Sequence, residues 1–333
     1  MEEPKKIDTL EDVARELGVS KTTVSRAISG KGRIGKETRE RIMAFIEAHD
    51  YRPNAVAKGL AQKKTYNLGL LLPVDYGDVD FSFFKDCMAG VYRTASLYHY
   101  DLIFSIVEGE ELKQLRRLVQ NRKMDGAIIS RAMERSRVQE YLTENKMPFV
   151  VIGTSRESQV ETVDNKNREA GEELTQIMLL KCGGPVALLG GDESYVVTQN
   201  RLEGYLEAHR KLGRQPEKDF IFMNVSSYSA AMEAVEKILE GGVRALICMD
   251  DVISDLALGC LREKEAAIPG TVRLASMYDS HQMECSSPSI TSIRFDSVRL
   301  GSNACLRLLH MLGEQVEQET PAGYEVILRE STK

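Results

Sequence analysis

Lys21, Thr22, Ser25 and Arg26 fall on one side of a helix, and all four side chains carry groups that hydrogen-bond to nucleic acid. Val24, Ala27 and Ile28 fall opposite them, spaced to pack against Val13 and Leu17. Ahead of this helix, Thr9 can cap a first one, and Asp12 three residues on completes a capping box. Leu10, Val13, Ala14 and Leu17 share a face, Gly18 supplies the turn, and Ser20 caps the second helix. Two short helices joined this way form a helix-turn-helix whose second helix is sized for a major groove. The same periodicity also suits an ordinary helical hairpin with a solvated polar face. Farther along, Asp250 follows the apolar run ALICM and Asp279 follows RLASMY. In open α/β sheets the carboxyl ends of strands border the ligand crevice, so both are candidate ligand contacts. Each could equally cap the helix that follows.

These residues need elements to position them. A third helix is predicted from about Lys36 to His49, with Ile42, Phe45 and Ile46 closing a small core with Ile34, and Tyr51 beneath it. Pro53 marks its limit. Asn54 to Leu60, NAVAKGL, can form a short helix with Asn54 as its cap, but seven residues with a Gly are too few to be stable alone. From Tyr66 apolar runs alternate with helical patterns. NLGLLLP, YDLIFSIV, GAIIS and PFVVIGT form a first series, with helices over Phe83–His99 and Glu110–Arg122 and one ending at Asn145. PVALLGG, DFIFMNV, ALICMD and VRLASMYD form a second, with helices over Arg201–Leu212, Ser229–Glu240 and Ile253–Lys264; YEVILRES supplies a last strand. The predicted fold class is α/β: an N-terminal three-helix domain (1–52), a hinge helix and linker (53–65), and a two-lobed core (66–333) of parallel sheets flanked by helices. The N-lobe is expected over about 66–162 and 293–320 and the C-lobe over about 163–292 and 321–333, with junctions near Thr162–Asn165 and Ser289–Arg294.

The net charge of −6 conceals an asymmetry: residues 1–64 hold 14 Lys+Arg against 10 Asp+Glu, and the rest hold 30 against 40. A basic module on an acidic body suits attraction to DNA confined to one end. The six cysteines are scattered without a CxxC pair or a Cys/His cluster, so reduced thiols and no metal are expected. No apolar run is long enough to span a membrane, and MEEPKK lacks the apolar core of a signal peptide, which predicts a cytoplasmic protein, held at the nucleoid when on DNA. An enzyme on an α/β core, such as a sugar kinase or dehydrogenase, would show GxGxxG or GxxxxGK[ST]. Neither occurs, and the five histidines form no catalytic or metal-spaced cluster. No catalytic residue and no cofactor are therefore expected.

The order Thr9-Leu10-Glu11-Asp12-Val13-Ala14, Gly18-Val19-Ser20, Thr23-Val24-Ser25-Arg26, Thr38-Arg39-Glu40-Arg41-Ile42 and Tyr51-Arg52-Pro53-Asn54 closely resembles the DNA-binding domain of the lactose/galactose-repressor (LacI/GalR) family. Residues 66–333 resemble the sugar-binding core shared by that family and periplasmic binding proteins. That likeness rests on Asp125-Gly126, Val163-Asp164-Asn165, Arg201-Leu202-Glu203-Gly204-Tyr205, Leu258-Gly259, Pro288-Ser289-Ile290-Thr291-Ser292-Ile293 and Arg329-Glu330-Ser331-Thr332. The resemblance implies a transcriptional regulator, most simply a repressor, that binds a pseudo-palindromic operator as a homodimer under control of a sugar or sugar derivative. It places Lys21, Thr22 and Arg26 at base edges, Leu60 in a minor-groove step, and Ser20, Thr23, Ser25 and Asn54 at phosphates or caps. It places Arg201, Asp279, Asp250, Phe83, Ser130 and Tyr195 around the effector, with Asp164 a weaker candidate. The chain departs from the family at Gly35, Phe81-Ser82, Cys182-Gly183, Met277 and Ser280, mostly near the expected pocket, which points to an unusual ligand.

Overall fold

The computed structural model describes residues 9–29, 32–49, 51, 59, 62–73, 81–107, 112–133, 136–155 and 160–333. The chain divides into two compact units, 1–65 and 66–333.

In the first unit, α1 (Leu10–Leu17) begins at Thr9, whose hydroxyl accepts from the Asp12 backbone N–H while the Asp12 carboxylate accepts from the Thr9 N–H. This reciprocal cap satisfies two donors that a helix start leaves unpaired. Gly18 ends α1 at φ 64°, a left-handed conformation that glycine adopts without steric cost. Arg41 donates to the Leu17 carbonyl at 3.0 Å, tying α3 to the same turn. α2 (Lys21–Ser29) and α3 (Lys36–Ala48) complete the unit. Gly35 precedes α3 without a side-chain cap, as its lack of a hydroxyl requires. Val13, Ala14, Val24, Ala27, Ile42 and Tyr51 are buried together, the core that the periodicity predicts.

The described residues of the second unit form two sheets. The first has strand order β2-β1-β3-β4-β5, with β1 (Asn67–Pro73), β2 (Asp101–Val107), β3 (Gly126–Ile129), β4 (Phe149–Ile152) and β5 (Glu161–Val163), all parallel. The second has order β11-β10-β9-β8-β6-β7, with β6 (Ala187–Leu189), β7 (Ile221–Phe222), β8 (Ala245–Cys248), β9 (Arg273–Ser276), β10 (Thr291–Phe295) and β11 (Tyr324–Ile327). Among the described strands of this sheet only β11 runs antiparallel to its neighbour. Strands buried on both faces read as unbroken apolar runs, which is why GAII, FVVI and ALIC stand out in the sequence.

The flanking helices are α4 (Phe81–Leu97), α5 (Lys113–Gln120), α6 (Arg137–Glu144), α7 (Asn167–Cys182), α8 (Val196–Lys211), α9 (Tyr228–Glu240), α10 (Asp251–Glu263), α11 (His281–Cys285) and α12 (Ser297–Met311). α12 packs on α4 and on β3, β4 and β5, and α7 packs on α8. The α4–α12 crossing is close because glycines meet it from both sides: a Cβ at Gly90 would strike the Val298 carbonyl, and one at Gly301 would strike the Cys87 carbonyl.

Several bounds differ from the sequence expectation. α8 starts at Val196, a turn earlier than Arg201, and α5 spans only Lys113–Gln120, Glu110 lying outside the described residues. α7 was not foreseen. The second junction between lobes comes after Phe295, not across 289–294, because Ser292 to Phe295 pair with Tyr324 to Ile327 and so belong to the second sheet. The expected hinge helix, including Asn54 and Leu60, lies outside the described residues apart from Gly59. Among the described residues no helix is long and apolar enough to cross a membrane, and no group of three or more His, Cys, Asp or Glu is placed to hold a metal ion.

Candidate functional site

The outer face of α2 carries Lys21, Thr22, Ser25 and Arg26, all exposed, while Val24 and Ala27 lie inside. Alternation of burial at helical spacing thus leaves the polar side chains facing outward. Lys21 stands 3.8 Å from Glu11, an exposed pair of little energetic weight that a stronger anion could replace. The stem of Arg26 lies against the loop at Gly32, where a Cβ would approach it to 3.3 Å. Ser20 accepts from the Thr23 N–H at 3.1 Å and its hydroxyl pairs with that of Thr23 at 2.8 Å. Those two hydroxyls therefore cap the helix, leaving Lys21, Thr22, Ser25 and Arg26 as its presented groups.

Within the second unit, the carboxyl ends of the two sets of parallel strands border a cavity of about 250 Å3. Strand ends supply such a crevice because the βα turns diverge there and leave backbone groups and helix starts unfilled. From the first sheet's side come Phe83 on α4, Ser130 and Arg131 after β3, and Gly153 and Thr154 after β4. Gly153 is held at φ 109°, and a Cβ there would sit 3.2 Å from the Ala132 Cβ. From the second side come Asp192, Tyr195, Asn200, Arg201, Asp250 and Tyr278, while Asn165 and Asn167 line the junction between β5 and α7.

Arg201 is buried, and its Nε donates to Asn167 Oδ1 at 3.2 Å. Asn167 in turn donates to Asn165 Oδ1, so a chain of amides holds the guanidinium in place. Asp250 caps α10 by accepting from the Ile253 N–H at 2.8 Å and also lies on the cavity wall. Burial pushes its carboxyl above the usual range, against the opposing pull of that N–H and of Arg201. Ser130 also lines the cavity, but its hydroxyl donates to the Leu71 carbonyl at 3.0 Å. Phe83 meets Tyr278 edge-on, ring centroids 6.1 Å apart. Tyr195 stands at the start of α8 and pairs with Met133 across the cleft in an isolated antiparallel bridge; Asn200 donates to Thr154 at 3.1 Å. These contacts tie the two walls together.

Asp279 is the exception. It does not line the cavity. Its carboxylate accepts from Arg329 at 2.7 and 3.1 Å, from Arg294 at 2.9 Å and from Ser292 at 2.5 Å. Burial raises its pKa, but the bonds from Arg329, Ser292 and Arg294 outweigh burial and hold the carboxyl below the usual carboxylate range. It anchors the C-terminal Arg329-Glu330-Ser331-Thr332 segment, where Ser331 donates to the Leu274 carbonyl and the Thr332 hydroxyl meets that of Thr291. Asp164 is likewise off the wall, whereas its neighbours Asn165 and Asn167 are on it. Arg131, Asn165, Asn167, Asn200 and Tyr278 were missed. The amides stood beside or within motifs already noticed, at Asn165 and one residue before Arg201. Arg131 directly follows Ser130, and nothing local distinguishes it from a surface arginine.

Residues 65–319 match the family described as periplasmic binding proteins and sugar binding domain of LacI family, and residues 9–54 match bacterial regulatory proteins, lacI family. Catabolite control protein A of Staphylococcus aureus is 28% identical over 318 residues, covering 93% of this chain and 94% of that protein. Among solved structures, the lac repressor dimer bound to operator and the anti-inducer ONPF aligns with a TM-score of 0.75 at 21% identity, over 97% of this chain and 98% of that one. A transcriptional regulator CelR–cellobiose complex aligns with a TM-score of 0.72 at 23% identity, over 98% and 100%. The two structural likenesses are likenesses of fold.

Proposed function

The chain belongs to the LacI family of bacterial regulatory proteins, a DNA-binding transcriptional regulator with a sugar-binding domain, and from that premise we propose that it is a repressor whose hold on a pseudo-palindromic operator is set by a sugar or sugar derivative in the cleft. The observation that carries this reading is the cavity itself. It is walled by strand carboxyl ends from both sheets, with a buried guanidinium at Arg201 and the carboxyl of Asp250 on one side and Phe83 on the other. A polyol offers vicinal hydroxyls, which match a planar donor fork and carboxylate acceptors, and an apolar ring face, which matches an aromatic.

At the other end, Arg26 is assigned a guanine edge, which suits its fork, with Lys21 and Thr22 on neighbouring bases and Ser25 on a phosphate. One such module offers few base contacts, so two copies on a two-fold site are required for tight, specific binding. The segment around Asn54 and Leu60 is assigned the role of a hinge that folds on DNA, Leu60 entering a minor-groove step. A ligand touching both walls stabilises one arrangement of the lobes. A coupling of about 1–3 kcal/mol then changes operator occupancy roughly 5- to 150-fold.

The test is Arg201→Ala in the full chain, followed by fluorescence anisotropy on the operator. Affinity without ligand is expected to match the wild type, while the change on adding ligand disappears. A normal ligand response in this variant would move the ligand site elsewhere.

A further inference from the structure

We propose that Arg131 makes the cleft selective for an anionic ligand, a polyhydroxylated small molecule bearing a phosphate or a carboxylate; the proposal rests on the reading of this cavity as the effector site. The guanidinium of Arg131 lies over two aromatic rings, its central carbon 4.6 Å from the Tyr195 centroid and 5.1 Å from that of Phe84. Contact with two ring faces restricts the side chain and leaves its N–H groups as the polar part. Among the described residues Arg131 has no ion-pair partner, and it lines the cavity. A cation held in place by aromatic faces is preorganised for an anion, and a carboxylate or phosphate accepts two parallel charge-assisted bonds from a guanidinium fork, which a single neutral hydroxyl does not.

The rest of the wall agrees. Arg201 adds a second, buried guanidinium. α8 opens at the cavity with no side-chain cap at Tyr195 and no acidic residue in its first turn, so the positive end of its dipole faces the same wall. Of the two carboxylates on the wall, Asp250 caps α10 and faces the charges of Arg201 and Arg131, and Asp192 accepts from the Ser194 N–H at 2.7 Å; two guanidiniums thus stand against one carboxylate that also serves as a helix cap. Asp279, the third carboxylate expected there, is withdrawn into its pairs with Arg329 and Arg294. The wall thus carries the guanidiniums of Arg131 and Arg201, and Asp279 does not add a carboxylate to it.

The experiment is calorimetric titration of the full-length protein at fixed ionic strength. The probes are neutral hexoses and pentoses, their phosphate esters, their uronic or aldonic acids, and inorganic phosphate. Wild type is compared with Arg131→Gln and Arg131→Lys. At least one charged member is expected to bind at least tenfold more tightly than its neutral parent, the ester and acid arms separating phosphate from carboxylate. Arg131→Gln is expected to lower that affinity about 10- to 100-fold and the affinity for the neutral parent by much less, so that the preference for the charged member narrows. Arg131→Lys, which keeps the charge without the fork, is expected to lose several-fold and retain the preference; it is read if the Gln variant melts early. Neutral sugars binding as tightly as their charged derivatives, or either variant binding the anion as wild type does, would overturn the proposal while leaving the cleft as the effector site. Failure of every probe, inorganic phosphate included, would remove both.

Discussion

Asp279 sits one residue beyond Tyr278, yet only Tyr278 reaches the cavity. Its position after a strand was legible, but its partners were not: Arg294 and Arg329 lie 15 and 50 residues downstream and meet it only through the β10–β11 pairing. Arg201 and Asp250, by contrast, were readable because the motif around one and the strand end before the other are local. The Asp279–Arg329 pair is nearly sealed, with side-chain exposures of 4% and 10%. Removing Arg329 leaves the buried carboxylate with only Arg294 and Ser292, so Arg329→Ala is expected to cost about 1–3 kcal/mol in urea unfolding of the full chain. The sign of the pH effect follows from the lowered pKa. The pair's contribution is complete above the unfolded aspartate value near 3.9 and is lost as pH falls through the folded value. Asp279→Asn should flatten stability against pH in that acid window, and a slope unchanged from wild type would deny the pair this role. On the DNA side, Arg26→Ala is expected to cost roughly 1–3 kcal/mol on the operator and much less on random duplex. Equal losses on both, by anisotropy, would remove Arg26 from base reading.

Elements were legible in proportion to how one-sided or how uniformly apolar they are. The capping box at Thr9, the turn at Gly18 and the four-residue strands of the sheet interiors announce themselves. α7 did not, because Glu172, Glu173, Gln176 and Lys181 interrupt its apolar stripe. The spacing of Ala170, Leu174 and Met178, ended by Gly183 at φ 67°, is the signal that marks it. The α4–α12 crossing was equally silent, since a glycine required by a neighbouring carbonyl looks like any other glycine. Gly301→Ala puts a methyl against Cys87 and is expected to destabilise the core by about 1–3 kcal/mol, read as a lower urea midpoint with little change in slope. A midpoint equal to the wild type would mean that the two helices separate without cost.

At the scale of the whole molecule, charge is divided as function is: the basic excess lies in residues 1–64 and the acidic excess in the remainder. Binding to DNA is therefore expected to weaken linearly with the logarithm of salt concentration, because phosphate contacts release counterions. A salt-independent affinity would contradict phosphate contact by this end. The central claim is that the outward face of α2 reads sequence for a regulator of the LacI family. Its most direct test is selection of the full-length protein on a randomised duplex pool, followed by sequencing of the retained molecules. The account predicts enrichment of a two-fold-symmetric site that Arg26→Ala no longer selects; a retained pool as random as the starting one would contradict it.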